Sequence, residues 1–165
     1  MIPIFTYIRM DKACVIKKAK ELQRVAYRVV YCQDDDEYSY LDKYIEVTSW
    51  ISCGCKELLH VKGKTDEEEA EICLAVLVGY SAIIRNDKNV QKALDRAFKV
   101  LPSMSASFIK YQLLIYCYAE TYERRLADEA KEIMKFWMGG ALNREEKRIQ
   151  EFLKDLEEKN IMYKI

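Results

Sequence analysis

Hydrophobic and polar residues alternate along this chain with the period of an α-helix. Its longest uncharged run, Ile72 to Ile84, begins after a strongly acidic stretch. Thr65 is placed to cap a helix there, with Glu68 completing a capping box, and the acids of the first turn suit the positive end of the helix dipole. Apolar side chains fall on every side of the run, which predicts a buried central helix from Asp66 to Ile84. Within it, Gly79 indicates that a neighbouring helix approaches closely.

Amphipathic helices are predicted on both sides of this central helix. The first runs from about Lys12 to Cys32. The second begins near Tyr38, is interrupted or bent at Ser52–Cys55, and continues as a shorter piece to Val61. The later helices are predicted from their end signals: one that Pro102 stops, one from Ser103, Ser105 or Ser107 to Thr121, one from Leu126 to a C-cap at Gly139–Gly140, and one that starts at a capping box of Asn143 and Glu146.

These elements predict an all-α fold, either an irregular bundle or stacked helical hairpins, of about six to eight helices. The chain has only five Gly and two Pro, too few for the turns of a β-sandwich or barrel. The segment ALDRAFKV resembles LADEAKEI about 33 residues later, so a tetratricopeptide-like C-terminal half is an alternative. A length of 165 residues indicates a single domain over residues 1–165. We expect residues 1–11 to be a poorly ordered extension.

The net charge is zero, but the charges are segregated along the chain. Residues 1–33 carry +5, residues 34–71 carry −8, and residues 72–110 carry +4. Such polarity argues against general affinity for nucleic acid and suits a complementary protein partner. Because no export signal precedes the six cysteines, we expect reduced thiols and a cytoplasmic protein.

The sequence contains no recognisable catalytic or metal-binding motif. Cys53, Cys55 and His60 are the only grouping with metal-ligand character, and a structural zinc needs four ligands. The acidic clusters precede predicted helices, where a capping role explains them. We therefore expect no enzyme activity, no metal and no cofactor.

Candidate partner-binding residues fall into three groups. Basic side chains line the outer side of the first helix and of the helix that ends before Pro102, and polar residues interrupt the apolar helix that ends at Thr121. An ordinary solvated face is the alternative for both basic rows, and for the third group the alternative is buried tyrosines with paired hydroxyls. The candidates are Lys17, Lys20, Arg24 and Arg28; Lys88, Lys92, Arg96 and Lys99; and Lys110, Gln112, Tyr118 and Glu120.

Three segments in the stretch from Glu67 to about Trp137 together resemble the UpxZ family. They are EEEAEICLAVLVGYSAII, VQKALDRAFKVL and SFIKYQLLIYCYAETYERRLADEAKEI, in that order. The resemblance places a family-like core at residues 66–138, whereas the first 65 residues match poorly.

The resemblance implies a trans-acting negative regulator of capsular polysaccharide genes. Proteins similar to UpxZ restrain NusG-like antitermination factors of the UpxY type, so that one capsule is made at a time. The implied partner is such a factor, bound directly, with no membrane involvement. A helical adaptor for leader RNA or another nucleic acid, and a generic helical interaction scaffold, are the alternatives.

Overall fold

The computed structural model describes residues 15–31, 41–137 and 142–163. Within these ranges the chain forms seven α-helices and no β-strand, which confirms the all-α prediction. Three predictions lie outside them: the poorly ordered extension at residues 1–11, the capping role of the acidic cluster before the second helix, and the C-cap at Gly139–Gly140. The expected reduced state of Cys14 and Cys32 also concerns residues outside the described ranges. The helices are α1 (Val15–Tyr31), α2 (Leu41–Leu59), α3 (Asp66–Ala82), α4 (Asp87–Val100), α5 (Phe108–Thr121), α6 (Arg124–Trp137) and α7 (Arg144–Tyr163).

Packing divides the chain into two compact units between Ser103 and Met104. The N-terminal unit holds α1 to α4, and the C-terminal unit holds α5 to α7. The expectation of a single domain stays a prediction. The two segments that resemble each other lie on α4 and α6, one in each unit.

The central helix of the N-terminal unit is α3, which packs against α1, α2 and α4. The Thr65 hydroxyl accepts a hydrogen bond from the Glu68 backbone N–H at 3.1 Å, so the predicted N-cap is confirmed. Every residue of α3 from Ala70 to Tyr80 is buried. One of them, Glu71, accepts a hydrogen bond from the buried Gln23 amide of α1 at 2.9 Å. A helix with no solvated face can pack against three neighbours, which explains its central position.

Two glycines let α1, α2 and α3 approach one another around Leu22. A Cβ atom on Gly79 would lie 2.5 Å from Cys55 Sγ and 3.0 Å from Leu22 Cδ2. A Cβ atom on Gly54 would lie 2.5 Å from Leu22 Cδ1. The predicted close approach at Gly79 is therefore present. Gly54 serves the same purpose, because its missing side chain leaves space for that of Leu22.

Two local predictions were wrong. The second helix is not interrupted at Ser52–Cys55, since α2 runs continuously through Gly54. Packing against Leu22 favours the helix there and outweighs the low helix propensity of glycine. The central helix ends at Ala82 rather than Ile84, with Ile83 in extended geometry. Ile84, which we had placed in the interior, is consequently 95% exposed.

The C-terminal unit is built on α5, which contacts α6 and α7. Ser107 is the N-cap of α5, and Tyr122, in left-handed geometry with φ of 54°, ends it. Asn143 and Glu146 form the predicted capping box, since each side chain accepts a hydrogen bond from the other residue's backbone N–H. The Tyr116 ring lies 5.2 Å from that of Phe152 on α7. No helix in the described ranges has the length and apolar character to cross a membrane.

Candidate functional site

The outer side of α1 presents a row of cations to solvent. The opposite side is buried, with Leu22 and Ala26 fully enclosed. Lys17, Lys20 and Arg24 are exposed, and they form no ion pair or hydrogen bond with any residue that the structure describes. We call these three residues the α1 row.

Two neighbouring cations of α1 are not equivalent to the α1 row. Arg28 is exposed but makes a contact within the chain. Lys18 turns towards α2, where its Nζ lies 4.4 Å from the centre of the Trp50 ring. Burial lowers the pKa of Lys18 and raises that of nearby Glu57, so this pair belongs to the α1–α2 contact. Lys18 was not among the candidates of the basic row, and it lies four residues before the buried Leu22, which agrees with its position towards α2.

The basic row predicted on α4 is only partly present. Lys88, Lys92 and Lys99 are exposed and form no ion pair within the described ranges. Arg96 is different, because its guanidinium points back onto the N-terminal unit. Its assignment to an exposed binding face was therefore wrong.

Arg96 joins α4 to both α3 and the end of α2. Its Nη2 lies 2.6 Å from Glu69 Oε1, and its Nε donates to Glu69 Oε2 at 2.9 Å. The same guanidinium donates to the backbone carbonyls of Leu59 and Val61, at 3.2 Å and 2.6 Å. Carbonyls at a helix C-terminus lack partners within the helix, so a cation stabilises them. Arg96 is thus a structural residue that fixes three segments of the unit.

The carboxylate of Glu69 is held in its charged form by this arrangement. Burial alone would raise its pKa, but hydrogen bonds from Arg96 and from the Gly63 N–H, 3.0 Å away, outweigh that effect and lower the pKa. The hydrogen bond to Glu69 in turn raises the pKa of Arg96. Only glycine fits at position 63, because a Cβ atom there would lie 2.3 Å from the Glu69 backbone nitrogen. Neither Glu69 nor Gly63 could be recognised from helical periodicity, since their pairing depends on the position of a loop.

The polar residues proposed on α5 lie mainly in the interior. Lys110 is 8% exposed, pairs with Glu129 of α6 at 2.9 Å, and donates to the Met104 carbonyl. Gln112 is also buried. These two residues are therefore corrected from candidate contacts to interior groups. The long aliphatic stem of Lys110 is compatible with burial because its ammonium group is paired.

Tyr118 is also part of the interior. It is fully buried, and its hydroxyl accepts a hydrogen bond from the Asn160 amide of α7 at 3.0 Å. Buried tyrosines with paired hydroxyls were our alternative for this group, and for Tyr118 that alternative is correct, although the partner is Asn160. Glu120 is half-buried and makes a contact within the chain. Neither residue offers a free side chain to a partner.

The cysteines do not form a metal site in the described ranges. Cys53 is exposed and Cys55 is buried, two positions apart on α2. Burial raises the pKa values of both Cys55 and Cys73 to about 12, so these thiols are protonated at neutral pH. No group of three or more potential metal ligands comes together among the residues that the structure describes.

After these corrections, the two basic faces differ in their charge. On α1, Glu21 is the single acid of the whole helix sequence and lies close to the α1 row. On α4, Asp87 and Asp95 lie among the lysines. The Arg96 side chain is bound to Glu69 and does not contribute to the outer face. Among the described residues, the outer face of α1 therefore carries the larger excess of basic over acidic side chains.

Comparisons with known proteins identify a family and a solved structure to which this chain is similar. The UpxZ family, described as a family of transcription anti-terminator antagonists, matches residues 19–119 and thus includes most of α1 and all of α2. A crystal structure of a transcription anti-terminator antagonist UpxZ from Bacteroides uniformis ATCC 8492 is similar, with a TM-score of 0.76 and 32% sequence identity. The similarity covers 87% of this chain and 92% of that one. A search of curated proteins gave no match. The chain belongs to the UpxZ family of transcription anti-terminator antagonists.

Proposed function

We propose that this protein restrains a NusG-like antitermination factor of the UpxY type by direct protein contact, and so limits expression of capsular polysaccharide loci. The class of function comes from the family, whose members are described as transcription anti-terminator antagonists. The observation that supports direct contact is the α1 row. Its three cations face solvent and have no partner in the described ranges.

A binding role also accounts for where the other polar groups lie. Arg96, Lys110 and Asn160 are all engaged inside their own units. The polar groups left at the surface are suited to recognising a partner of opposite charge. We infer a regulatory protein rather than an enzyme, acting in the cytoplasm where RNA polymerase reads the operon leader.

Complex formation between purified proteins tests this proposal. The full chain and a UpxY-type antitermination factor, both treated with nuclease, are mixed and separated by size-exclusion chromatography. We expect a complex of defined stoichiometry that survives nuclease treatment. Separate elution at micromolar concentrations of both proteins would contradict direct contact, and a complex that forms only with leader RNA would favour the nucleic-acid alternative.

A further inference from the structure

We propose that the α1 row is the surface by which this protein docks, and that it fits an acidic surface of the antitermination factor. This inference rests on the proposed function and deepens it, because it names the helix face and the chemistry that the partner must present. Lys17, Lys20 and Arg24 are exposed and have no partner in the described ranges.

The geometry of the row defines the complementary surface. Residues spaced by three and four positions lie on one side of a helix, one per turn. From Lys17 to Arg24 the axis rises about 10 Å, so the three charges cover two turns. An acidic helix that carries a carboxylate on each turn presents the same spacing. Arginine adds a bidentate site for one carboxylate, whereas the lysines act as point charges.

Among the described elements, α2 and α3 pack against α1, and both leave this face open. Leu22 contacts α2 and α3 from the opposite side of the helix, and Gln23 reaches Glu71 on α3. Lys18 leans over Trp50 on the flank. The row therefore faces away from both neighbouring helices.

The charge pattern favours a protein over a nucleic acid. Glu21 lies four residues after Lys17 and three before Arg24, so it falls on the same face. A carboxylate within the row opposes a uniformly charged phosphate backbone. A protein surface can place a cation or a neutral group opposite Glu21, which gives the contact a defined register.

The α4 lysines are no longer proposed as contacts, because Asp87 and Asp95 lie among them, and they supply a matched control for this proposal. Lys88, Lys92 and Lys99 are also exposed without an ion pair in the described ranges, and they belong to the same unit. Reversing three lysines there changes the net charge by the same amount as reversing the α1 row. A difference in affinity between the two variants is therefore due to the position of the substituted residues and not to the change in total charge.

The test compares the affinity of three full-length proteins for the antitermination factor by isothermal titration calorimetry, after nuclease treatment. They are the unsubstituted protein, the variant Lys17→Glu with Lys20→Glu and Arg24→Glu, and the variant Lys88→Glu with Lys92→Glu and Lys99→Glu. We expect the α1 variant to bind roughly 30-fold more weakly and the α4 variant to stay within about threefold. Circular dichroism checks folding. Where the triple variant is unstable, Arg24→Glu alone is expected to lower affinity about fivefold.

The outcomes separate this inference from the proposed function. Equal losses in both variants, or a loss in the α4 variant alone, would overturn the α1 docking surface. Unchanged affinity in both would also overturn it while leaving direct contact intact. No binding by the unsubstituted protein would remove the proposed function and this inference together. A parallel titration with leader RNA covers the alternative: if the α1 variant loses affinity for the RNA but not for the protein, the row is a nucleic-acid contact and the inference fails.

Discussion

Arg96 on α4 holds the carboxylate of Glu69 on α3 through two hydrogen bonds, at 2.6 Å and 2.9 Å. Both side chains are about one-fifth exposed, so the pair is shielded from most of the solvent. The same guanidinium donates to the carbonyls of Leu59, the last residue of α2, and of Val61, two residues beyond it. This one residue therefore links three of the four helices in the N-terminal unit.

Removal of the Arg96 side chain is expected to destabilise the protein. Arg96→Ala leaves Glu69 and two carbonyls without their cation, and we expect a loss of about 2 to 3 kcal/mol in the free energy of unfolding. Arg96→Lys should cost less but still be measurable, because lysine lacks the planar fork. Urea unfolding measures both. Lys92→Ala, on the exposed side of α4, is the control and should change stability by less than about 0.5 kcal/mol. Equal effects at residues 96 and 92 would refute the structural role.

The contribution of Glu69 depends on pH in a defined direction. Its folded pKa is lowered from the ordinary value of 4.5, so its stabilising effect is fully present above that value and is lost as the pH falls through the folded pKa. The difference in unfolding free energy between the unsubstituted protein and Glu69→Gln should therefore be constant near neutral pH. It should shrink as the pH is lowered below about 4.5. Urea unfolding at several pH values measures it, and a difference that grows on acidification would contradict the assignment.

Gly79 tests the contact between α3 and α2. In Gly79→Ala the new Cβ would lie 2.5 Å from Cys55 Sγ, so we expect destabilisation by about 1 to 3 kcal/mol. In the double variant with Cys55→Ala, the two effects should not add, because the second change removes the clashing sulfur. Ser81→Ala, at an exposed position on the same helix, is the control. Thermal unfolding followed by circular dichroism measures five proteins: the unsubstituted protein, Gly79→Ala, Cys55→Ala, the double variant and the control. Strict additivity would show that the two residues do not touch.

Thiol reactivity should follow burial. Cys53 is exposed, while Cys55, Cys73 and Cys117 are buried, and burial raises the pKa values of Cys55 and Cys73 to about 12. Iodoacetamide at pH 8 should therefore modify Cys53 well before the other three, since the thiolate is the reactive form. Fragment-ion mass spectrometry locates the label, with a sample in guanidinium as the fully reactive control. Labelling of Cys55 as fast as Cys53 in native buffer would contradict the packing around Gly79.

Periodicity predicted the helices well because each has a strong cap or an apolar stripe. Thr65, Asn143 and Ser107 mark helix starts through side-chain hydrogen bonds that depend only on local sequence. The prediction at Gly54 was wrong because a glycine in the sequence looks like a break, whereas here it accommodates Leu22 from another helix. Such contacts are decided by tertiary packing, which a single sequence does not display.

The candidate site was harder to predict than the fold. Arg96 lies about 80° around α4 from Lys88, at the edge of the basic face, and only the position of the α2–α3 loop shows that it turns inward. Lys110 was predicted as a contact residue because its ion-pair partner, Glu129, lies on another helix, α6, and a single sequence does not show that pairing. The exposed lysines and Arg24 of α1 were predicted correctly as an outer face, since a long amphipathic helix separates its two sides clearly.

In vitro transcription through an operon leader tests the central claim most directly. RNA polymerase, a UpxY-type antitermination factor and increasing amounts of this protein are combined, and the fraction of full-length transcript is measured. Our account predicts that read-through falls to the level seen without the factor once this protein is in excess, and that the α1 variant requires a much higher concentration. Read-through that stays at the level of the factor alone, at saturating protein, would contradict antagonism by direct contact.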